Sequence, residues 1–314
     1  MEYYKNKKIL IAGGSGLVGT NLLIYLSKIN KNVVASFYSK IQNRHYKRYY
    51  KKYDFRKLKD CLKATKNKDI VFITAVKGSG ILDMKENFKN SVADNFLIRS
   101  NLLQSCVHNK VKKVLWVSSS TVYQPDKKPI REKDLNLNKD PYDIYMGTGW
   151  LYRYLEKLCE FYRKEKKLDV KIIRTTSIYG PYDNFDEKKS HVIPALIKKA
   201  CLKGKLLEVW GDPKVVRDFV YVGDLVKAML IYLPKKKSFI INFSSGKGTS
   251  IESLALKILN LVGANKKITF QYINRSSAIF RVLNNNRYDH SVKKFTRTSL
   301  TNGLSKTYKW YKNR

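Results

Sequence analysis

A glycine-rich turn between an apolar run and a helical pattern is the feature that most restricts the fold of this chain. The run KILIAGG (8–14) predicts a buried strand, and a helix is predicted from Gly16 to about Lys28. Gly13, Gly16 and Gly19 stand between them at GxxGxxG spacing. Glycines permit a tight turn and a close backbone approach, and the N–H groups that open the helix attract an anion. The segment therefore predicts a dinucleotide-binding turn rather than an ordinary loop.

Apolar runs and helical patterns keep alternating over the 314 residues, which is typical of βαβ units and a parallel sheet. Further strands are predicted at 32–38, 69–75, 112–120, 169–177, 206–210 and 239–245, and further helices at 90–108, from Tyr142, and at 190–204, 250–263 and 302–313. The predicted fold class is α/β, a Rossmann-type doubly wound parallel sheet with a smaller C-terminal α/β substrate lobe. We expect 1–176 and about 215–245 to form the dinucleotide-binding domain, and 177–214 and 246–314 the lobe.

The chain carries 63 Lys and Arg against 25 Asp and Glu, a net charge of +38. Clustered bases neutralise phosphates, so nucleic acid or an anionic membrane is one interpretation. The surplus, however, runs along the whole chain together with many Asn, Ile and Tyr, and 40–60 is only its densest part. Compositional bias is the favoured interpretation, which argues against a nucleic-acid partner. The charge should still raise encounter rates with anionic substrates.

Neither a signal peptide nor a membrane span is predicted, because the N-terminus runs directly into a strand and no apolar run is long enough. The four cysteines, Cys61, Cys106, Cys159 and Cys201, form no CxxC pair. A disulfide framework or a zinc site is therefore not expected, and no other metal site is predicted. These features favour a cytoplasmic protein without membrane insertion.

The end of the second strand, VVASFYSK, bears on the choice of cofactor. It offers no Asp or Glu to accept hydrogen bonds from a ribose 2′-hydroxyl. Ser36, Ser39, Lys40 and Arg44 instead suit a 2′-phosphate, so NADP(H) is favoured while NAD(H) stays open. Asp54 before the next helix is a candidate for the adenine amino group, and a helix N-cap is its alternative role. The candidate cofactor site also takes in neighbours of these motifs: Leu17, Val18, Phe55, Ala75 and Lys77.

Two further motifs complete a family resemblance. SSSTVY (118–123) follows the predicted fourth strand, and a Pro-Tyr pair (141–142) opens a long helix. With GxxGxxG, they resemble the extended short-chain dehydrogenases/reductases, the NAD-dependent epimerase/dehydratase family. Segments 75–81, 179–185, 190–196 and 209–225 resemble the branch that contains the GDP-L-fucose synthases. This resemblance spans nearly the whole chain and implies a nucleotide-sugar substrate, GDP-linked by preference, a homodimer and a role in cell-surface polysaccharide biosynthesis.

The resemblance implies roles for individual residues. Ser119 would hydrogen-bond the C4 oxygen of the sugar, Tyr142 would be the general acid that protonates it, and His191 would be an acid in epimerisation. Arg217 would pair with the diphosphate, which a guanidinium fork suits. The implied substrate-binding positions are Ser79, Gly80, Asn184, Val192, Leu196, Lys199, Trp210, Arg217 and Arg281.

Two positions depart from the family pattern at the chemistry. Thr121 stands where the family has a catalytic cysteine, and a threonine hydroxyl is a poor base, so epimerase activity is doubtful. Met146 stands where the family has a lysine, one helical turn after Tyr142. In the family that lysine binds the nicotinamide ribose and lowers the tyrosine pKa from about 10. Lys77 is a candidate to supply the missing charge.

Losing the lysine handicaps oxidation more than reduction, because oxidation needs a tyrosinate and reduction needs a protonated tyrosine. The sequence therefore predicts an NADPH-dependent reductase acting at C4 of a nucleotide-linked 4-keto sugar. An NAD-dependent epimerase or dehydratase of an intact nucleotide sugar is the alternative enzyme. A catalytically silent dinucleotide- or sugar-nucleotide-binding protein is the alternative that is not an enzyme.

Overall fold

The computed structural model describes residues 2–78, 88–186, 189–235, 239–271, 280–284 and 297–314. In chain order its strands are β1 (Ile9–Ala12), β2 (Val33–Phe37), β3 (Tyr50–Lys52), β4 (Ile70–Ile73), β5 (Lys113–Ser119), β6 (Val170–Thr175), β7 (Ser177–Tyr179), β8 (Leu206–Trp210), β9 (Val216–Tyr221), β10 (Ile240–Phe243), β11 (Gly248–Ser250), β12 (Lys267–Gln271) and β13 (Phe280–Arg281). The helices are α1 (Leu17–Leu26), α2 (Leu58–Thr65), α3 (Phe88–His108), α4 (Met146–Lys164), α5 (Val192–Cys201), α6 (Val222–Tyr232), α7 (Ile251–Val262) and α8 (Leu300–Lys312).

The main sheet is parallel, with the strand order β3-β2-β1-β4-β5-β6-β10. The chain winds outward from β1 in one direction and then from β4 in the other, so the order reverses between β1 and β4. Ligands of doubly wound folds bind outside the carboxyl ends of the strands at such a point. The predicted fold class is confirmed.

Helices cover both faces of this sheet, which explains why every residue of β1 is apolar. Alternate β1 side chains belong to separate cores: Ile9 and Ile11 pack with α1 and α6, while Leu10 and Ala12 pack with α2, α3 and α4. A strand that is buried on both faces has no solvent-facing side, so apolar and polar residues do not alternate along it. Packing against the two cores holds the strands in place, and with them the loops that follow their carboxyl ends.

The C-terminal lobe contains two smaller sheets. β9 pairs with β7, β11 and β13, and β8 pairs with β12 in parallel register. Apolar side chains of α5, α7 and α8 pack together over them. The boundary differs from the expected one at Val216–Tyr221, which the sequence assigned to the dinucleotide-binding domain. This strand joins the sheet of the lobe, while α6 and β10, which follow it, return to the main body.

Helix starts also differ from the sequence prediction. Tyr142 has an extended backbone (φ −52°, ψ 136°), and a single 3-10 turn (Asp143–Tyr145) separates it from α4, which begins at Met146. The Tyr145 N–H donates to the Tyr142 carbonyl at 2.7 Å, and this i→i+3 bond postpones the α-helical pattern. None of the helices within the described ranges has the length and apolarity needed to cross a membrane.

Candidate active site

The glycine-rich turn brings β1, α1 and β4 into close backbone contact. Gly13 has φ +92°, and a Cβ there would lie 2.5 Å from the Ala75 nitrogen. A Cβ on Gly19 would lie 2.1 Å from the Gly13 oxygen, so the first turn of α1 rests directly on the strand end. Both positions therefore require glycine for the packing of the turn itself. The predicted cofactor residue Ala75 supplies backbone that closes the turn from the β4 side.

The N-terminus of α1 is the part of the turn that fits a pyrophosphate. Gly16 is the N-cap of α1, with no side-chain cap, and a Cβ there would meet only the Gly13 oxygen at 3.4 Å. The first turn, which includes Leu17 and Val18, contains no acidic side chain that would repel an anion. The open backbone N–H groups and the positive end of the helix suit a phosphate pair. The cradle thus fits a dinucleotide, as the glycine spacing predicts.

The four residues proposed for a 2′-phosphate separate into two groups. Ser36 is buried, and its hydroxyl accepts a hydrogen bond from the Gly13 N–H at 2.8 Å. It therefore supports the glycine-rich turn and is not free to bind a phosphate. Ser39, Lys40 and Arg44 are exposed beyond the carboxyl end of β2, where the ribose of a dinucleotide would lie.

Asp54 forms a local network that the sequence did not predict. Arg56 binds it with two nitrogens at 2.9 Å and donates a further hydrogen bond to the Tyr38 hydroxyl at 2.8 Å. These hydrogen bonds, reinforced by the charge of Arg56, lower the pKa of the Asp54 carboxyl despite its partial burial. Lys57, not Asp54, occupies the N-cap of α2. Arg56 adds a cation beside the end of β2, and the sequence signal for it is the DFR triplet.

The remaining cofactor candidates have structural partners. Phe55 is buried and stacks on Tyr53 with ring centroids 5.9 Å apart. The Lys77 ammonium pairs with Asp94 of α3, which offsets its charge locally. The structure therefore gives no support to Lys77 as the replacement cation. Ser79 and Gly80 lie outside the described residues.

Ser119 and Thr121 occupy a tight turn at the carboxyl end of β5. The Ser119 hydroxyl accepts a hydrogen bond from the Thr121 N–H at 3.2 Å. The Thr121 hydroxyl is buried and has no hydrogen-bond partner among the described residues. A Cβ on Gly149 of α4 would lie 2.6 Å from both Pro141 and the Thr121 carbonyl oxygen. Gly149 thus lets α4 approach the turn, and its sequence signal is the GTG triplet.

Tyr142 is half-buried, and its hydroxyl is held by backbone groups. It donates to the Phe280 carbonyl oxygen at 2.6 Å and accepts from the Asp126 N–H at 3.3 Å. Met146, at the family lysine position, is 37% exposed and begins α4. Because Tyr142 precedes the helix, the two do not form a regular helical pair at i and i+4, contrary to the expectation from spacing.

A buried ion pair anchors α4 under this site. Glu156 accepts hydrogen bonds from Arg174 on β6 and, at 2.7 Å, from the Ser118 hydroxyl on β5. Arg174 also donates to the Tyr123 hydroxyl at 2.8 Å, which in turn donates to Asn242. The network ties α4 to three adjacent strands next to the turn that holds Ser119. It gave no recognisable motif in the sequence.

His191 faces an acidic neighbour in the lobe. It precedes α5 as its N-cap residue, half-exposed, with Nδ1 3.8 Å from Asp183 Oδ1. The Asp183 carboxylate is buried, and its Oδ2 has no hydrogen-bond partner in the described part of the chain. Asn184 donates its N–H to Asp183 and accepts from Asp186 with its side chain, so it shapes this loop. The His191 imidazole thus lies beside a buried carboxylate.

The predicted nucleotide pocket contains one exposed aromatic face. Trp210 ends β8 and is 43% exposed, with the Lys199 ammonium 4.3 Å from its ring centroid. Lys199 also donates to the Glu208 carbonyl oxygen at 3.0 Å. Val192 is half-buried, whereas Leu196 is buried in the core of the lobe. Trp210 is thus available for stacking, whereas Leu196 packs in the core of the lobe.

Arg217 and Arg281 meet on adjacent strands of the lobe. The parallel register of β9 and β13 pairs them directly. The buried ring of Tyr145 has the Arg281 guanidinium carbon 4.8 Å from its centroid, and the charges of both arginines act on its hydroxyl. Burial together with the nearby charge of Arg281 lowers the pKa of Arg217 to about 10. Sequence reasoning missed Tyr145, although the second tyrosine of PYDIYM marks it.

A comparison with known families decides the membership. Residues 9–242, well over half of the chain, match the model of the NAD dependent epimerase/dehydratase family. The chain belongs to this family. The resemblance seen in the sequence is confirmed, and the membership makes the chain an enzyme of the NAD(P)-dependent class that the sequence predicts.

Individual members of the epimerase/dehydratase family are similar over most of the chain. GDP-L-fucose synthase of Escherichia coli (strain K12) is 28% identical over 268 residues, covering 79% of this chain and 81% of that protein. GDP-L-colitose synthase of Yersinia pseudotuberculosis is 27% identical, covering 98% of both. The structure of MlghC, GDP-mannoheptose C4 reductase from Campylobacter jejuni with NADP bound, superposes with a TM-score of 0.79 at 25% identity, covering 98% of this chain and 99% of MlghC.

Proposed function

We propose that the protein reduces a nucleotide-linked 4-keto sugar at C4 with NADPH, and that the nucleotide is GDP. The observation that carries the proposal is the retention of Ser119 and Tyr142 together with the loss of the family cysteine and lysine at Thr121 and Met146. Among the similar proteins, MlghC is a C4 reductase of a GDP-heptose and was solved with NADP bound. The GDP-L-fucose synthase and the GDP-L-colitose synthase are further GDP-sugar enzymes.

Ser119 and Tyr142 would act together on the C4 oxygen. The nicotinamide, when bound, supplies a hydride to the carbonyl carbon. Ser119 donates a hydrogen bond to the carbonyl oxygen, which stabilises the negative charge that develops there. Tyr142 exchanges the Phe280 carbonyl for this oxygen and gives it a proton, which completes the alcohol. Neither residue has to be ionised before the reaction.

We propose that Met146 determines whether ketone reduction or alcohol oxidation is favoured. A thioether carries no charge and no donor, so it does not stabilise a tyrosinate at Tyr142. Alcohol oxidation begins with a base, whereas ketone reduction ends with an acid. The substitution therefore favours reduction.

Epimerisation at C3 or C5 would need a base that removes a proton next to the ketone. The Thr121 hydroxyl at the family cysteine position is a poor base. His191, beside Asp183, would remain as the acid that protonates the opposite face of the sugar ring. Position 121, however, offers no base to remove the first proton. We therefore propose reduction without epimerisation.

NADP(H) is the proposed cofactor. The exposed Ser39 and Lys40 after β2 suit a 2′-phosphate, and MlghC was solved with NADP. The glycine-rich turn and the main sheet would form the dinucleotide-binding domain, and the lobe of α5, α7 and α8 would bind the nucleotide sugar. A Lys40→Ala variant should lose preference for NADPH over NADH, as measured by the ratio of the two kcat/KM values.

The decisive experiment is turnover of GDP-4-keto-6-deoxymannose with NADPH, with the product identified by NMR. We expect NADPH consumption and a product that differs only at C4. Turnover of an intact nucleotide sugar without added reductant would instead support the epimerase or dehydratase alternative. Absence of turnover with GDP-, dTDP-, UDP- and CDP-linked 4-keto sugars would refute the proposal and leave a binding protein.

We also propose a homodimer through α3 and α4. Large apolar side chains on these helices are exposed, namely Phe96, Leu97, Trp150, Tyr154 and Phe161. Phe96 of α3 and Tyr154 of α4 have ring centroids 6.0 Å apart, and exposed apolar side chains on two neighbouring helices favour association with a second copy. Light scattering of the wild type and of a Trp150→Glu, Phe161→Glu double variant would test this, with a monomeric double variant as the expected result.

A further inference from the structure

Tyr145 is a buried polar side chain that the proposed reaction does not use. It ends the 3-10 turn after Tyr142, and its N–H donates to the Tyr142 carbonyl. It is 8% exposed. A phenol with so little access to solvent needs hydrogen-bond partners inside the protein. The residues around the Tyr145 side chain indicate its role.

Those partners are two arginines that the sheet forces together. Arg217 of β9 and Arg281 of β13 are register partners in parallel strands, so their side chains leave the sheet on the same face. Like charges in such a pair repel, and the burial of Arg217 weakens screening by water. A pair of this kind becomes favourable when an anion or a strong acceptor lies against both guanidinium groups.

Tyr145 lies against both. The Arg281 guanidinium carbon is 4.8 Å from the centroid of its ring, and the positive charges of Arg281 and Arg217 both act on its hydroxyl. Arg217 also donates to its neighbour Val216 at 3.1 Å, and Arg281 contacts the Ser177 hydroxyl at 3.4 Å. The Arg281 Nε is buried without a hydrogen-bond partner among the described residues. Arg281 therefore keeps donor capacity for a ligand.

We propose that Tyr145 is a positioning residue that holds Arg217 and Arg281 side by side to bind the diphosphate of the substrate. The ligand class rests on the proposed function, and the part assigned to Tyr145 goes beyond it. Two adjacent guanidinium forks match the oxygens of two linked phosphates. A neutral phenol oxygen accepts from both forks without adding a competing negative charge. It fixes their spacing before the ligand arrives, which lowers the entropy lost on binding.

The same contacts predict a pH dependence. Burial acts to raise the pKa of Tyr145, but the charges and hydrogen bonds of Arg281 and Arg217 outweigh it and lower the pKa overall. As the pH rises, the phenolate neutralises the arginine pair and competes with the diphosphate. Among the described groups that act on this site are Arg217 from β9, Arg281 from β13 and the Tyr142 hydroxyl. Because the pKa of Arg217 is itself lowered to about 10, affinities should be compared well below that pH.

The test is calorimetric titration of GDP into the wild type and a Tyr145→Phe variant, from about pH 7 to about pH 9. The variant keeps the ring and removes the hydroxyl. We expect the Kd for GDP to rise on the order of tenfold at neutral pH, because charged hydrogen bonds that align the forks are lost. The wild type should lose affinity as the pH rises, whereas the variant should lose less. The Kd for NADP+ should not change, and Tyr162→Phe, near the C-terminal end of α4, is the matched control.

Equal GDP affinity and equal pH profiles for wild type and Tyr145→Phe would overturn the inference. If GDP does not bind, UDP, dTDP and CDP are titrated in turn, and binding of none of them would overturn it as well. If the Phe variant does not fold, Arg281→Lys replaces it and should also weaken GDP binding, because it keeps the charge but loses the fork. These measurements need no turnover. Tyr145-dependent GDP binding without reduction would refute only the proposed function, and reduction without Tyr145 dependence would refute only this inference.

Discussion

The Glu156 carboxylate on α4 and the Arg174 guanidinium on β6 form a buried ion pair, with Oε2 and Nη2 2.6 Å apart. Both side chains are almost inaccessible to solvent. Glu156 also accepts from Ser118, the residue before Ser119. The pair therefore fixes the helix that follows Tyr142 relative to the strand that ends at Ser119.

Glu156→Gln should destabilise the protein by about 3–5 kcal/mol, because it leaves the Arg174 charge buried without its counterion. Urea unfolding measures this. Glu160→Gln is the matched control, since Glu160 pairs with Lys157 and Lys164 at the surface of the same helix, and it should cost at most about 1 kcal/mol. Equal losses for the two variants would show that the buried pair does not anchor α4.

Gly149→Ala should impair catalysis by moving α4 away from the Ser119 turn. The new Cβ would lie 2.6 Å from Pro141 and from the Thr121 oxygen, so the backbone must shift. We expect a lower kcat, an unchanged Kd for NADPH and a stability loss of about 1–3 kcal/mol. Gly147→Ala, where the nearest atom is a Val92 methyl at 3.3 Å, is the control and should retain kcat. A normal kcat in Gly149→Ala would contradict the role of this contact.

Met146→Lys should raise alcohol oxidation more than ketone reduction. A positive charge at position 146, where α4 begins, should favour the tyrosinate of Tyr142, and each unit by which it lowers the tyrosine pKa increases the tyrosinate fraction about tenfold. Met146→Gln supplies a donor without a charge and should change the ratio of the two rates much less. The measurement is kcat in both directions with the same sugar. A parallel rise in both directions, or none, would mean that position 146 does not set the direction.

Gly16→Ala and Gly19→Ala should distinguish a loss of NADPH binding from a loss of folding stability. The Gly19 Cβ would lie 2.1 Å from the Gly13 oxygen, so this variant should be unstable, with cofactor binding lost as a consequence. A Cβ on Gly16 has room, so that variant should unfold at the wild-type temperature. Its methyl would nevertheless occupy the cradle and raise the Kd for NADPH on the order of tenfold. Unchanged affinity in Gly16→Ala would place the pyrophosphate elsewhere.

Asp69→Asn should remove part of the acid sensitivity of the fold. The Asp69 carboxylate accepts from the Lys8 N–H and from Lys112, both at 2.9 Å, and these hydrogen bonds lower its pKa. A carboxyl with a lowered folded-state pKa stabilises the fold above its unfolded pKa of about 4, and this stability is lost as the pH falls through the folded pKa. The variant should be less stable than wild type at pH near 6, and the difference should disappear in strong acid. A difference independent of pH would exclude this linkage.

The sequence by itself determined the main sheet and the position of the cofactor turn. The alternation of apolar runs and helical patterns reports burial on both faces, and the spacing of Gly13, Gly16 and Gly19 reports local backbone geometry. Both are properties of contiguous residues, so a single sequence carries them. The sequence likewise predicts Ser119 and Tyr142 as site residues, because each lies in a short motif beside a predicted element.

Tertiary structure decided which side chains are available. Ser36 and Lys77 were plausible ligands in the sequence, but they are engaged by Gly13 and Asp94, which are distant along the chain. Arg217 and Arg281 meet only because β9 and β13 are in register, and the Tyr145 ring contacts Arg281 only because the fold brings its turn against that strand. Ion pairs and packing contacts between residues that are far apart in the sequence leave no local sequence pattern. This part of the site therefore becomes visible only in the folded structure.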